Sequence, residues 1–166
     1  PLGALQESFK AKNRILKILS VAAVATIGMV SCTTDACKDV DCGTWGTCLE
    51  GSCICDLGYE GTDCETLVNA AFVGSFNVTE TCSQSTDTYA VTIAATNATT
   101  VTISNLYDAG LVVNGTINAN GGVTIDNQTF GTGSMSGSVT ENGGVLTINF
   151  TIAVGGQSDT CTAISQ

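Results

Sequence analysis

The stretch Leu146-Thr-Ile-Asn-Phe-Thr-Ile-Ala-Val154 decides the fold that we expect for this chain. Its apolar residues occupy every second position, and the side chains of a β-strand alternate between the two faces of a sheet. A helix would instead repeat its apolar residues every three or four positions. The pattern therefore predicts a strand that buries one face.

Seven further segments rich in β-branched and aromatic residues alternate with turn residues in the same region. They are Phe72–Val78, Tyr89–Ala95, Val101–Ile103, Leu111–Ile117, Val123–Ile125, Met135–Val139 and Thr160–Ile164. Glycine-rich loops such as Asn120-Gly-Gly and Asn142-Gly-Gly separate some of them and suit tight hairpins. Eight strands joined in this way predict a mainly β fold, an antiparallel up-and-down eight-stranded β-barrel over residues 69–166. A two-sheet β-sandwich is the alternative.

Two isolated cysteines, Cys82 and Cys161, lie at opposite ends of this β-region. The first and last strands of a closed eight-stranded barrel are neighbours, so we expect a disulfide that pins the closure. Its Cα atoms should then lie within about 7 Å of each other. A disulfide that closes so long a loop would stabilise the fold by about 4–5 kcal/mol in the chain-entropy model.

Six more cysteines are crowded into residues 37–64 with the spacing C-x4-C-x5-C-x4-C-x-C-x8-C. So short a segment cannot bury a core that would hold it folded by itself. A zinc site is the alternative for clustered cysteines. The chain has no histidine, however, and we expect disulfides and no metal.

The second half of this segment, Cys53-Ile-Cys-Asp-Leu-Gly-Tyr-Glu-Gly-Thr-Asp-Cys64, resembles the EGF-like module. The shared features are C-x-C, a Gly-aromatic pair and a Gly three residues before the last Cys. The resemblance implies the disulfides Cys37–Cys48, Cys42–Cys53 and Cys55–Cys64. The acidic pattern of calcium-binding EGF modules is missing, so calcium is not favoured.

The N-terminal segment has a basic stretch from Lys10 to Lys17 and then a run of 14 uncharged residues, 18–31. The run is shorter than the roughly 20 residues that span a bilayer and suits a secretory signal peptide. It ends in Met29-Val-Ser-Cys32, which resembles the lipobox of bacterial lipoproteins, with Met in place of the usual Leu. The resemblance implies cleavage before Cys32 and acyl chains, such as palmitate, on Cys32. The expected location is the cell envelope, with the outer membrane favoured and the orientation left open.

We therefore expect five segments. They are a helical signal peptide (1–31), a lipidated linker (32–36), the EGF-like module (37–64), a second linker (65–68) and the β-domain (69–166). Because residue 1 is Pro, we expect residues 1–8 to be foreign or to follow upstream sequence.

The start of the β-domain reads Phe72-Val-Gly-Ser-Phe-Asn-Val-Thr-Glu-Thr-Cys82, followed by Tyr89-Ala-Val-Thr-Ile93. It resembles the lipocalin-like or calycin-like domains of Bacteroidota lipoproteins. The resemblance covers roughly residues 69–166 and implies a barrel near a membrane.

Charge and composition restrict the function. From Cys32 onward the chain has 14 acidic residues and Lys38, so nucleic acid is not an expected partner. It has no histidine, and its cysteines have structural or lipid assignments, so we expect no enzyme and no cofactor besides the acyl lipid. Glu80 lies in phase with the inner-face residues Phe76 and Val78. Glu80 and Tyr89 are the candidate ligand-binding residues.

Two functions remain open. The favoured one is a membrane-anchored interaction protein, whose barrel meets a protein or glycan partner on an EGF-like spacer. The alternative is a carrier of a small apolar or glycan ligand. Large inward side chains would fill the lumen, whereas small ones would leave room. The large candidates are Phe76, Tyr89, Met135 and Phe150, and the small ones are Gly74, Ala95, Gly115 and Gly137.

Overall fold

The computed structural model describes residues 35–166. The predicted signal peptide and the predicted lipidation at Cys32 lie outside the described residues. Asp39–Gln166 form one compact unit, and residues 35–38 belong to a separate one. Within residues 35–166, no helix is long and apolar enough to cross a bilayer.

The first part of the compact unit is a disulfide-rich region with two small sheets. A two-residue turn joins β1 (Gly46–Leu49) to β2 (Ser52–Cys55), and β3 (Tyr59–Glu60) pairs with β4 (Thr66–Leu67). The disulfides Cys42–Cys53 and Cys55–Cys64 have Cα–Cα distances of 5.4 Å and 5.2 Å. Both are pairs that the resemblance to the EGF-like module implies. Cys37 and Cys48 are also disulfide-bonded.

The remainder of the unit is a closed antiparallel barrel, as the alternating pattern predicts, and the β-sandwich alternative is wrong. A 3-10 helix, Val68–Ala71, precedes its strands. The strands are β5 (Gly74–Thr81), β6 (Thr86–Asn97), β7 (Thr100–Leu106), β8 (Leu111–Ile117), β9 (Val123–Phe130), β10 (Gly133–Asn142), β11 (Val145–Val154) and β12 (Gln157–Ser165). Each pairs with the next along the chain, and β12 pairs with β5.

Strand β11 shows why the sequence folds in this way. Leu146, Ile148, Phe150 and Ile152 are buried, while the residues between them are exposed or half-buried. Val154 continues the alternation in sequence but is exposed, because it lies at the strand end beside the Gly155-Gly156 turn. One row of side chains thus fills the barrel and the other meets solvent.

The last predicted disulfide lies beside the ladder that closes the barrel. Strand β12 pairs with β5 through Thr162↔Thr81 to Ser165↔Val78. The next position holds the Cys82–Cys161 disulfide, with a Cα–Cα distance of 4.1 Å. The covalent bond therefore extends the ladder that joins the two ends of the β-region.

The seam between β8 and β9 has the fewest paired residues in the barrel. Backbone pairing is limited to Thr116↔Thr124 and Ile117↔Val123. Farther along, Gln128 bridges the strands with its side-chain amide. It donates to the Asn114 carbonyl at 2.6 Å and accepts from the Asn114 N–H at 2.9 Å. A side chain here satisfies backbone groups that a regular ladder would pair.

Candidate functional site

The barrel has two ends. Loops 82–85, 107–110, 131–132 and 155–156 form one end, which we call the distal end. Loops 98–99, 118–122 and 143–144 form the other, which we call the proximal end. The disulfide-rich region contacts the proximal end, so the distal end is the one farther from it.

Both predicted ligand-binding residues lie inside the barrel towards the distal end. Glu80 of β5 is 3% exposed and Tyr89 of β6 is also buried. Glu80 faces inward because it follows Val78 by two positions in the strand. Cross-strand pairing places Val78 opposite Tyr89, so Glu80 is a diagonal neighbour of Tyr89 on the inner face.

A chain of hydrogen bonds joins these residues to the β7–β8 loop. The Tyr89 hydroxyl donates to Oε2 of Glu80 and accepts from the backbone N–H of Tyr107 at 3.0 Å. Tyr107 and its neighbours Asn105 and Asp108 have positive φ angles of 63°, 64° and 45°. Non-glycine residues seldom adopt this conformation, so the loop is held by the surrounding contacts.

Burial shifts the acidity of both groups. It raises the pKa of Glu80, which the Tyr89 hydrogen bond opposes and the negative charges of Asp87, Asp108 and Asp159 reinforce. Burial and then the Glu80 carboxyl raise the pKa of Tyr89 well above its usual value. The network therefore favours a protonated tyrosine as donor.

This network has its hydrogen bonds satisfied internally. Among residues 35–166, no buried side-chain nitrogen or oxygen lacks a partner. Glu80, Tyr89 and the Tyr107 N–H therefore hold strands β5 and β6 and the β7–β8 loop together. They leave no orphaned group aimed at a ligand.

The same end holds a group of potential metal ligands within the described chain: Glu80, Cys82 and Cys161. Both sulfurs belong to the Cys82–Cys161 disulfide, so neither is available as a thiolate ligand. Oε1 of Glu80 lies 3.3 Å from the Cys82 sulfur, a contact without a hydrogen, since a disulfide sulfur has none to donate. The donor chemistry does not fit a metal centre.

The outer surface of the distal end carries two shallow depressions of ≈ 360 Å³ each, which share Val154. Turns Gly131-Thr132 and Gly155-Gly156 line one, and Tyr107 and Asp159 line the other. Asp159 accepts hydrogen bonds from the Ser83 hydroxyl at 2.5 Å and the Ser83 N–H at 3.1 Å, which lower its pKa. These bonds tie the β5–β6 loop to β12 and shape the rim.

The lumen itself is filled. Large apolar side chains from six strands are fully buried in it: Val78, Ile93, Ile103, Leu106, Ile125, Met135, Leu146 and Ile148. Of the large candidates, Tyr89, Met135 and Phe150 are buried and Phe76 is half-buried.

The small residues that might have left room do not. A Cβ on Gly137 would lie 2.8 Å from the Phe150 Cβ, and one on Gly115 would overlap the Val123 side chain. One on Gly74 would lie 3.3 Å from the Phe76 ring. Ala95 is exposed near the end of β6, so the expectation that it lines the lumen is wrong. Glycine here permits close approach by neighbours and leaves no cavity.

The proximal end contacts the disulfide-rich region through residues that the sequence analysis missed. Asn69 is 1% exposed, and its side-chain amide donates to the Asn97 carbonyl at 2.6 Å. Phe72, predicted to begin the first strand, instead follows the 3-10 helix and packs into the core. Residues 65–68, predicted as a linker, include β4 and the start of that helix.

Gly58 brings the two parts into direct contact. Its carbonyl accepts from the Val68 N–H at 3.0 Å, and its φ is +96°. A Cβ there would lie 2.6 Å from the Ala98 carbonyl oxygen. The Gly-aromatic pair could have drawn attention to this turn, but not to its packing against the barrel.

The chain matches no family model, no curated protein and no solved structure. The geometry of the described residues is therefore the basis for any functional conclusion.

Proposed function

We propose that this chain is a bacterial cell-envelope lipoprotein that presents the distal end of its barrel to a protein or glycan partner. In this proposal, acyl chains on Cys32 anchor it to a membrane, with the outer membrane favoured. The disulfide-rich region is an EGF-like spacer, and the barrel is lipocalin-like in architecture.

The filled lumen is the observation that carries this proposal. A carrier needs an interior space, and ligand pockets are usually concave, largely apolar and pre-formed. Here large side chains occupy the interior, and the inward glycines Gly115 and Gly137 are covered by their neighbours. Recognition is therefore assigned to the outer surface, and the carrier function is not favoured.

The contact between spacer and barrel supports the assignment to the distal end. The Gly58–Val68 hydrogen bond joins the disulfide-rich region to the 3-10 helix, the Asn69–Asn97 bond joins that helix to the proximal end of β6, and Gly58 packs against the Ala98 carbonyl, all within one compact unit. A spacer held in this way covers one end of the barrel and leaves the loops of the other end accessible to a partner.

The chemistry of the distal end selects among partners. No Lys or Arg occurs after Lys38, so this end offers no side-chain cation to pair with a phosphate or carboxylate. Its depressions are lined by hydroxyl and amide side chains, one carboxylate and one tyrosine, together with glycines and the apolar Ile152, Ala153 and Val154. Such groups suit the hydroxyls of a neutral glycan or the polar groups of a protein, and nucleic acid is disfavoured.

Native mass spectrometry of the protein extracted from its own membranes tests the anchor and the carrier alternative together. We expect the mass of residues 32–166 with acyl groups, eight hydrogens fewer for four disulfides, and no further small molecule. A retained residue 1–31 segment without lipid would contradict the lipoprotein proposal. A reproducible bound small molecule would return the carrier function to first place.

Site-specific photocrosslinking in intact cells tests the partner surface. A crosslinking side chain at Val154, which is 49% exposed and shared by both depressions, should give a discrete adduct. The matched control is Val112 of β8, which is 62% exposed on the outside of the barrel and lines neither depression. Equal adducts at both positions, or none at Val154, would argue against the distal end as the binding surface.

A further inference from the structure

Exposed apolar side chains are concentrated in the disulfide-rich region. Ten large apolar residues are exposed among residues 35–166. Five of them lie between residues 45 and 67: Trp45, Leu49, Ile54, Leu57 and Leu67. The other five are distributed over the much longer barrel portion of the chain. Contiguous exposed apolar surface commonly marks an interaction site.

Three of these residues share one face of the β1–β2 hairpin. The register pairs Thr47 with Ile54 and Leu49 with Ser52, and the Asp56 N–H donates to the Trp45 carbonyl at 2.7 Å. Paired residues point to the same side of an antiparallel ladder, and alternate residues of one strand do so too. Trp45, Leu49 and Ile54 therefore project from the same side, which we call the hairpin face.

The opposite side of the hairpin carries the cysteines that form disulfides. It carries Cys48, Cys53 and Cys55, all disulfide-bonded and half-buried. The hairpin face has no such partner, since Trp45, Leu49 and Ile54 are 42%, 61% and 55% exposed. Trp45 is held in place by Tyr59, whose ring stacks on it with centroids 4.8 Å apart and planes 7° apart.

The short chain between the proposed anchor and this region indicates that a membrane surface covers the hairpin face. Cys37 follows Cys32 by five positions, and a fully extended chain of that length reaches only about 17 Å. The polar interface on each side of a bilayer is itself about 5–8 Å thick. A short tether therefore keeps the hairpin at high effective concentration beside the membrane surface.

We propose that the hairpin face lies in the interfacial region of the bilayer to which Cys32 is anchored. This inference rests on the lipid anchor of the proposed function. Tryptophan favours this depth because its ring is apolar and its N–H still finds polar partners. Asp56, opposite Trp45, projects from the same side as the hairpin face, and Glu50 lies in the turn, so these two carboxylates limit the depth of the face to the headgroup level.

The net negative charge of the disulfide-rich region determines which lipid headgroups it can approach. Eight acidic residues and Lys38 lie between residues 35 and 65, so anionic headgroups repel the region. The contact is then an apolar one, strongest on zwitterionic bilayers and weakened as anionic lipid is added. A hairpin face bound in this way also holds one fixed side of the anchored spacer towards the membrane.

The single tryptophan of the chain, Trp45, reports directly on this contact. The acylated protein is reconstituted in phosphatidylcholine vesicles whose acyl chains are brominated, and compared with a chain that begins at Thr33. We expect a blue-shifted Trp45 emission and strong bromine quenching in the acylated protein alone. Adding anionic lipid should reduce the quenching.

Substitutions on the same face provide the matched comparison. The double variant Leu49→Ser with Ile54→Ser should lower the ratio of inserted to free hairpin about tenfold. This change is smaller than the one that corresponds to the full transfer of one such side chain from water to an apolar medium. Val112→Ser is the control, since Val112 and Leu49 are almost equally exposed but Val112 lies on the barrel. It should leave the quenching unchanged.

Two failures are distinguishable. An acylated protein whose Trp45 emission matches that of the soluble chain and escapes quenching would overturn the hairpin inference alone. A mass spectrum of the same sample without acyl chains on Cys32 would overturn the proposed anchor, and this inference with it.

Discussion

The substitution Gly137→Ala tests whether the barrel interior is filled, on which the proposed function depends. Gly137 of β10 lies opposite Phe150 of β11, between the inward residues Met135 and Val139. An added Cβ would overlap the Asn149 carbonyl oxygen and would lie 2.8 Å from the Phe150 Cβ and 2.9 Å from its Cα. Carbon atoms normally approach to about 3.5–4.0 Å, so roughly 0.7 Å of overlap must be relieved.

The overlap cannot be relieved cheaply. The atoms concerned belong to the backbone and Cβ of β11, which pairs with β10 on one side and β12 on the other. Overpacking of well-packed cores costs about 1–3 kcal/mol, and we expect the upper half of that range. For a domain of about 100 residues, this corresponds to a fall in Tm of roughly 8–20 °C.

Urea and thermal unfolding of four proteins measure this effect: the parent, Gly137→Ala, Phe150→Leu and the double variant. A leucine in place of Phe150 keeps the Cα and Cβ that the new methyl overlaps, so Phe150→Leu should not relieve the cost of Gly137→Ala, and the double variant should be no more stable than Gly137→Ala alone. Ser138→Ala, next along β10 on the other face, is the control and should change stability by less than about 0.5 kcal/mol. A benign Gly137→Ala, or a double variant as stable as Phe150→Leu alone, would refute the filled lumen.

Three further predictions concern the ends of the barrel. Burial raises the pKa of Glu80 in the folded protein above its ordinary value of 4.5. The stability that protonated Glu80 contributes is therefore complete below pH 4.5 and is lost as the pH rises through the folded pKa. Glu80→Gln should therefore gain stability relative to the parent between about pH 4 and about pH 7 in urea titrations, and a constant difference would contradict the raised pKa. Replacing Cys82 and Cys161 together by Ala should cost about 4–5 kcal/mol by the same measurement, and a loss below about 1 kcal/mol would show that the β12–β5 ladder closes the barrel unaided. Asn69→Ala leaves the Asn97 carbonyl without its donor and should cost about 1–3 kcal/mol, with faster amide exchange confined to the proximal end, whereas exchange at the distal end would contradict the assignment.

The structure changes the interpretation of the predicted ligand site. Glu80 and Tyr89 do lie in contact, but the Tyr89 hydroxyl donates its hydrogen bond to Glu80 and accepts one from the Tyr107 N–H. The polar groups of the two residues therefore satisfy each other. The sequence indicates that Glu80 faces inward, since strand alternation is local. It does not indicate Tyr107, because that contact joins strand β6 to the β7–β8 loop, and their proximity depends on the register between β6 and β7.

Other contacts were equally inaccessible to sequence reasoning. Gln128 resembles any polar strand residue, yet its amide replaces backbone pairing where β8 and β9 separate. Asn69 stands at the predicted start of the β-domain, before its first predicted strand, yet it is buried and donates to the Asn97 carbonyl. Neither role follows from neighbours in sequence, since their partners are 14 and 28 residues away.

The sequence by itself determined the mainly β class, the number and order of the barrel strands and the pair Cys82–Cys161, while the resemblance to the EGF-like module implied the pairs Cys42–Cys53 and Cys55–Cys64. These depend on alternation within a strand, on turn residues and on cysteine spacing, all of which are local or covalent. Only the tertiary structure decided that Phe150 covers Gly137 and that Gly58 fits against Ala98. The physical reason is that a lumen is filled by side chains from strands far apart in the chain, so whether a glycine leaves space depends on what faces it.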